Sequence, residues 1–305
     1  MPSSSSLLPP SAFDTHVHVF DSRIGPYAEG RAYTPEDAPL ESLLSFNTSI
    51  SQQCSKCTIV LVQPSPYKTD CSVLMTCLQL QRQKQTTYGI AVVDLHHITD
   101  VDLEHMHSIG IRGIRLNFQA DGREIDVERL AASLRNAAGR IRQMPGWMIQ
   151  LFVPGWAWDA LFDLVLTLPV PVIADHLGGM LGASKLSPSF TACPEVQPGF
   201  CLARHSKVIV KLSGLYRASN RTAACYDDTR PIIQAFAREI PDQCIWGSDW
   251  PHTGDGKCRV KSRVLSVKEP FRSIDTVRIL ENLRGWVGDD IWMKIMIENP
   301  ERVFE

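Results

Sequence analysis

Phe13-Asp14-Thr15-His16-Val17-His18-Val19-Phe20 is the stretch from which the fold can be read. His16 and His18 alternate with Thr15, Val17 and Val19 inside an apolar run. The two-residue period of a β-strand sends both imidazoles out of one face, close enough to grip one metal ion or one substrate oxygen. Near the other end, Ile245-Trp246-Gly247-Ser248-Asp249-Trp250-Pro251 places a carboxylate where an apolar strand breaks into a Pro-containing loop. A closed parallel barrel brings its first and last strands together, so the two segments are expected to meet. That constellation points to hydrolytic chemistry.

Between them the same kind of run recurs at 57–63 (CTIVLVQ), 88–94 (YGIAVVD), 111–118 (IRGIRLNF), 147–153 (WMIQLFV), 170–176 (VPVIADH) and 207–214 (KVIVKLSG), and the eighth is 244–249 (CIWGSD). Each is short, rich in Val and Ile, and mostly ends in a polar residue or glycine, as strands buried on both faces do. The intervening segments carry helical apolar spacing at Leu74/Leu78, Leu130/Leu134, Leu161/Leu164 and Ile232/Phe236. Eight alternations predict an α/β fold, a single-domain (β/α)8 TIM barrel over 13–305 behind a flexible arm at 1–12. An open doubly wound sheet would bring a Gly-rich phosphate turn after the first strand, and there is none. Residues 178–197, rich in Gly, Ser and Pro, read as a long loop on the catalytic face, either a lid or substrate-binding segment or a surface loop without function. Residues 291–305 read as a terminal helix closing the barrel.

The 305 residues are 44% hydrophobic and 21% charged, with a formal net charge of −2. Without a basic run of five, nucleic acid is not an expected partner. The first ten residues lack a basic n-region and an apolar core, and no apolar stretch is long enough to span a bilayer, so no membrane partner is expected either. Nine cysteines, an odd number in a chain that needs no staples, favour reduced thiols and a cytoplasmic setting. Cys54-Ser55-Lys56-Cys57 has no second pair and reads as chance proximity. The sequence assigns no oligomeric state.

Active sites of such barrels lie at the C-terminal ends of the strands. There stand His16 and His18 on the first strand, Arg115 and Asn117 on the fourth, and Gln150 on the fifth. His176 ends the sixth, Lys211 and Ser213 the seventh, and Asp249 the eighth. An apolar strand has little reason to place ionisable groups there unless they work, because an unpaired buried charge is costly. Asp175, beside His176, also has the plainer reading of a loop pair. His96, His97, His105 and His107 read as a solvated helix surface. Trp156 and Trp158 read either as core or as walls for a planar substrate.

The pieces FDTHVHVF, RAYTP (31–35), RGIRLNF (112–118), IADHLGG (173–179), KLSGLYR (211–217), WGSDWPH (246–252) and the closing NPERVF resemble the amidohydrolase superfamily, nearest its lactone-hydrolysing branch. The resemblance implies that His16, His18 and His176 surround the scissile carbonyl or a metal, and that Asp249 is the general base. It implies substrate contacts for Tyr33, Arg115 and Arg217, with Asn117, Gln150 and His252 beside them. The branch works with no metal or with one divalent metal, zinc first, held by His16, His18, His176 and Asp249. Binuclear members use a strand-four lysine and a strand-five histidine; Arg115 and Gln150 stand in those regions, so two metals are not expected. Asp121 and Gly179 occupy positions that carry arginines in dicarboxylate-cleaving members, which favours a substrate with one acid group or a neutral lactone. The expected ligand is a small molecule, a lactone or cyclic carboxylic acid. Two other readings are a metal-dependent decarboxylase of an aromatic or unsaturated acid and a non-catalytic binding protein on a retired barrel. Retention of all four His/Asp residues argues against the last.

Overall fold

Every one of the eight apolar runs forms a strand in the computed structural model, which describes residues 7–51, 57–118, 125–186, 207–254, 259 and 265–305. The strands are β1 (Phe13–Val17), β2 (Thr58–Val62), β3 (Thr87–Ala91), β4 (Ile111–Asn117), β5 (Met148–Phe152), β6 (Val172–Ala174), β7 (Val208–Leu212) and β8 (Cys244–Trp246). They pair in sequence order, all parallel. The ring closes just past the ends of β8 and β1. Asp249 N–H donates to the His16 carbonyl and His18 N–H to the Trp250 carbonyl, both at 2.9 Å. This is a (β/α)8 barrel, as expected. A parallel pair of two-residue segments, Thr34–Pro35 with Lys268–Glu269, lies outside it.

The helices use the apolar stripes read from the sequence. Leu74 and Leu78 of α2 (Ser72–Gln81), Leu130 and Leu134 of α4 (Val127–Ile141), and Leu161 of α5 (Ala157–Thr167) are buried. So are Ile232 and Phe236 of α7 (Arg230–Glu239), whereas Leu164 is half-buried. Preceding these are α1 (Leu40–Ser51) and α3 (Asp100–Ser108), and α6 is the short Leu215–Ala218. No described helix is long and apolar enough to cross a membrane.

Inside the barrel, Phe13, Val60, Ile90, Met148, Ile173 and Ile245 form an apolar layer that Phe304 plugs from below. Phe304 comes from the terminal helix Asn299–Phe304, whose Asn299 amide donates to the Pro241 and Cys244 carbonyls at 2.8 Å. The expected closing helix is therefore present, entered through a π-helical turn, Lys294–Glu298. The arm is anchored rather than free at its inner end, since Leu8 and Ala12 are fully buried. Cys54 and residues 187–197 of the expected long loop lie outside the described residues. Of the flanking histidines, His96, His97 and His105 are exposed, and half-buried His107 accepts from the Trp147 indole at 3.0 Å.

Candidate active site

The register of β1 decides where the His-x-His pair faces. Phe13 belongs to the inner layer, and strict alternation would send His16 to the opposite side. An irregularity between Asp14 and Val17 changes the parity, so His16 and His18 also point inward. Asp14 fixes the kink by accepting from the Ser248 N–H at 2.8 Å, tying β1 to the end of β8. Gly247 is required opposite. A Cβ there would sit 2.5 Å from the His16 Cβ.

Above the apolar layer lies a fully buried polar one. The Lys211 ammonium donates to Gln150 Oε1 at 2.7 Å, and Gln150 Nε2 donates to Asp175 Oδ2 at 2.9 Å. Asp175 Oδ1 stands 3.3 Å from His16 Nδ1 and 3.7 Å from Lys211 Nζ, and Arg115 Nε is 3.8 Å from Oδ2. Burial drives the Lys211 ammonium down to about 8. Burial opposes ionisation of Asp175, yet His16 and the Lys211 ammonium beside it hold its carboxyl well below the usual range.

Asp249 sits at the top. Its Oδ2 accepts from the Tyr216 hydroxyl at 2.7 Å and from Arg217 Nε at 2.9 Å. Its Oδ1 is buried without a hydrogen-bond partner, 3.7 Å from His16 Nε2 and 3.7 Å from His18 Nε2. Although burial penalises the charged form, Arg217 and the neighbouring histidines keep this carboxylate ionised. His18 Nδ1 lies 2.7 Å from the Val62 carbonyl, which can only accept, so that nitrogen carries the proton and Nε2 a lone pair. Asp249 (φ 61°) and His176 (φ 52°) occupy the left-handed region that side chains avoid. Such conformations cost about 1–3 kcal/mol each and persist where surrounding structure enforces them.

Two overlapping clusters, His16, His18 and Asp249, and His16, Asp175 and His176, could hold a cation. His176 thus falls outside the first, 4.0 Å from Asp249 Oδ2, with its Nδ1 2.9 Å from the Ser213 hydroxyl.

The site opens into a cavity of about 410 Å³ lined by His18, Tyr33, Arg115, Asn117, His176 and Arg217 of the expected residues. Lys185 and Arg259 add two further cations, and no described lining residue is Asp or Glu. Two expected contacts lie elsewhere. Gln150 is fully buried beneath the cavity, bridging Lys211 to Asp175. His252 packs edge-on against Tyr216 and Phe46 at 5.9 and 6.1 Å, behind the wall. Neither Trp156 nor Trp158 lines the cavity; Trp158 is core, donating to the Gly178 carbonyl at 2.8 Å. Asp175 and Tyr216 are the residues that sequence reasoning left without a role. No strand pattern marks either: Asp175 acts through its depth in the barrel, and Tyr216 reaches Asp249 from the turn after β7.

Burial holds His16 and His18 below the ordinary imidazole range, and lowers His176 and His252 to about 4. A folded-state value below the unfolded one means stability is full above pH 6.5 and is lost as pH falls towards 4. His176 and His252, both lowered to about 4, each contribute ~1.4 kcal/mol per pH unit over that window. The urea midpoint is expected to drop from pH 6.5 to 4.5, partly offset by Asp14, whose buried carboxyl is raised to about 6 and regains stability as pH falls. A flat midpoint would show that these rings are not held neutral.

These features define a class. The chain belongs to the amidohydrolase family, whose Amidohydro_2 pattern matches residues 13–305, and it is an enzyme of the hydrolase type. It is 30% identical over 307 residues to a 4-sulfomuconolactone hydrolase of Rhizobium radiobacter, covering 98% of this chain and 92% of that one. It is 29% identical to a 2-pyrone-4,6-dicarboxylate hydrolase of Comamonas testosteroni, over 80% of this chain and 78% of the relative. A Pseudomonas putida protein solved as a candidate 2-pyrone-4,6-dicarboxylic acid hydrolase superposes with a TM-score of 0.72 at 25% identity, covering 97% and 98% of the two chains.

Proposed function

We propose that this enzyme hydrolyses an anionic lactone, with Asp249 as general base. The observation that carries this is the divided Asp249 carboxylate: Oδ2 is tied to Arg217 and Tyr216, while Oδ1 is buried, unpartnered and aimed between His16 and His18. An oxygen so placed accepts a proton from a water that attacks the ester carbonyl and returns it to the leaving ring oxygen. The ion pair keeps Asp249 in its basic form but weakens it. The driving force therefore comes from the acidity the water gains as it bonds to carbon. His176 lines the cavity, and with its Nδ1 accepting from the Ser213 hydroxyl its Nε2–H would donate to the developing oxyanion.

The cationic lining supports an acid group on the substrate rather than a neutral ring, and the names of the two relatives given above denote anionic lactones. Arg115 is the leading contact. Its guanidinium is 5% exposed, one nitrogen donates to the Gln63 carbonyl at 3.1 Å, and Nε has no hydrogen-bond partner. Arg115→Met is expected to lower kcat/KM by roughly 10- to 1,000-fold, the ~1.5–4 kcal/mol of a lost charge-assisted contact, with some fall in Tm because Arg115 also faces buried Asp175 at 3.8 Å. A large fall in Tm with normal kinetics in the folded fraction would make Arg115 merely structural.

The donor set fits one divalent cation, and zinc suits two imidazoles and a carboxylate. His16, His18 and Asp249 would hold it; bound there, it would polarise the lactone carbonyl. The His16 and His18 Nε2 atoms are 3.3 Å apart. If His16 Nδ1–H donates to Asp175, both Nε2 atoms present lone pairs to each other, which a cation between them relieves. If His16 Nδ1 accepts from Lys211 at 3.4 Å, its Nε2–H donates to His18 and no cation is called for. Elemental analysis should find at most one equivalent per chain; two would contradict the assignment.

The reading is tested on a panel of carboxylated five- and six-membered lactones, following ring opening and trapping carbon dioxide alongside. Ring opening without gas is expected. Carbon dioxide release from an aromatic or unsaturated acid would replace the hydrolase by a decarboxylase.

A further inference from the structure

One wall of the cavity is the segment after β6, which contributes Leu181, Ser184, Lys185 and Leu186. This wall is gripped from behind by Asp228, just ahead of α7. Asp228 Oδ2 accepts the backbone N–H of Ser184 at 2.8 Å, and Oδ1 accepts the Ser219 hydroxyl. Gly182 lies flush on that carboxylate, where a Cβ would stand 2.8 Å from Oδ2. The Gly182 N–H donates to the Ala218 carbonyl at 3.0 Å, and the Asn220 amide to the Ser184 carbonyl at 3.1 Å. The turn that delivers Asp228 passes through Cys225 and Tyr226 at φ 50° and 63°, left-handed values that non-glycine residues adopt only under constraint.

The consequence reaches the substrate space through the next residue. Lys185 follows the pinned Ser184, lines the cavity, and donates from Nζ to the Arg217 carbonyl at 2.6 Å. A long ammonium side chain on a loop is a poor fixed contact unless its backbone is held. We propose that Asp228 is a positioning residue: by pinning Gly182 and Ser184 it holds Lys185 in the cavity wall as a contact for an anionic group of the substrate. The proposal rests on the reading that the cavity receives an anionic lactone. Among the described residues Asp228 bonds to Ser184 and Ser219 and to neither Asp249 nor the histidines, so its influence falls on binding rather than on the chemical step.

The test measures isophthalate, a planar dianion that cannot be hydrolysed, by calorimetry, together with KM and kcat on the best lactone of the panel. Asp228→Asn, Lys185→Met and Gly182→Ala are compared with the double variant Asp228→Asn/Lys185→Met. Each single variant is expected to raise the isophthalate Kd and the lactone KM about 10-fold, leaving kcat within about 2-fold. The double variant should bind no more weakly than Lys185→Met alone, because the two residues act through one contact. Unchanged Kd and KM in folded Asp228→Asn, or a double variant whose losses multiply, would overturn the proposal. Should Asp228→Asn not fold, Gly182→Ala decides in the same way, since its methyl group displaces the carboxylate it touches. If isophthalate binding weakens as expected but no lactone is opened by the wild type, the hydrolase reading fails and the positioning role stands.

Discussion

Asp249→Asn is expected to reduce lactone turnover by roughly 10²–10⁴-fold, the contribution of a lost general base. The amide is nearly isosteric, and Tyr216 and Arg217 would still surround it, but it cannot take a proton from water at Oδ1. The fold should survive, because residue 249 is also held by its backbone: its N–H donates to the His16 carbonyl and its carbonyl accepts from the His252 N–H. One contribution to stability does change. The Arg217 guanidinium would lose its charged partner at 2.9 Å, so a modest fall in Tm accompanies the loss of rate. Retention of more than about a tenth of wild-type kcat would remove Asp249 from the role of base.

Lys211→Met should have the largest effect on stability. The ammonium is fully buried, donates to Gln150 at 2.7 Å, and stands 3.7 Å from Asp175. Methionine fills the space but leaves Gln150 Oε1 without its donor and Asp175 with a buried negative charge that Arg115 alone must balance. Breaking one partner out of a buried charge network costs about 3–5 kcal/mol. The denaturation midpoint should therefore fall sharply, and Lys211→Met/Asp175→Asn should recover part of the loss by removing both charges together. A single variant as stable as wild type would show that the layer is not held by charge.

The sequence carried the barrel plainly because its signal is local. Eight Val/Ile runs, each buried on both faces, need only short-range pattern to be found, and the His-x-His and Asp ends locate the catalytic face. Depth was not legible. Asp175 lies next to His176 in sequence yet belongs to the layer below, where it faces Lys211, and so a loop pair was the natural reading. Gln150 shares the inward face of β5 and was expected to touch substrate, but it sits one layer too deep. Cross-strand register, not strand pattern, sets that level. Tyr216 gains its place from the turn after β7, where Gly214 at φ 58° leaves no room for a side chain against His176. The parity change in β1 was equally hidden, since alternation alone would have sent Phe13 and His16 to opposite faces.

The most direct test of the account is ring opening of the best lactone in ¹⁸O-labelled water, read by mass spectrometry of the product. Attack of an Asp249-activated water on the carbonyl puts one label into the newly formed carboxylate, with none in the hydroxyl, and Asp249→Asn forms no labelled product at a comparable rate. Label in the hydroxyl, an unlabelled product, or undiminished labelling by Asp249→Asn would contradict it.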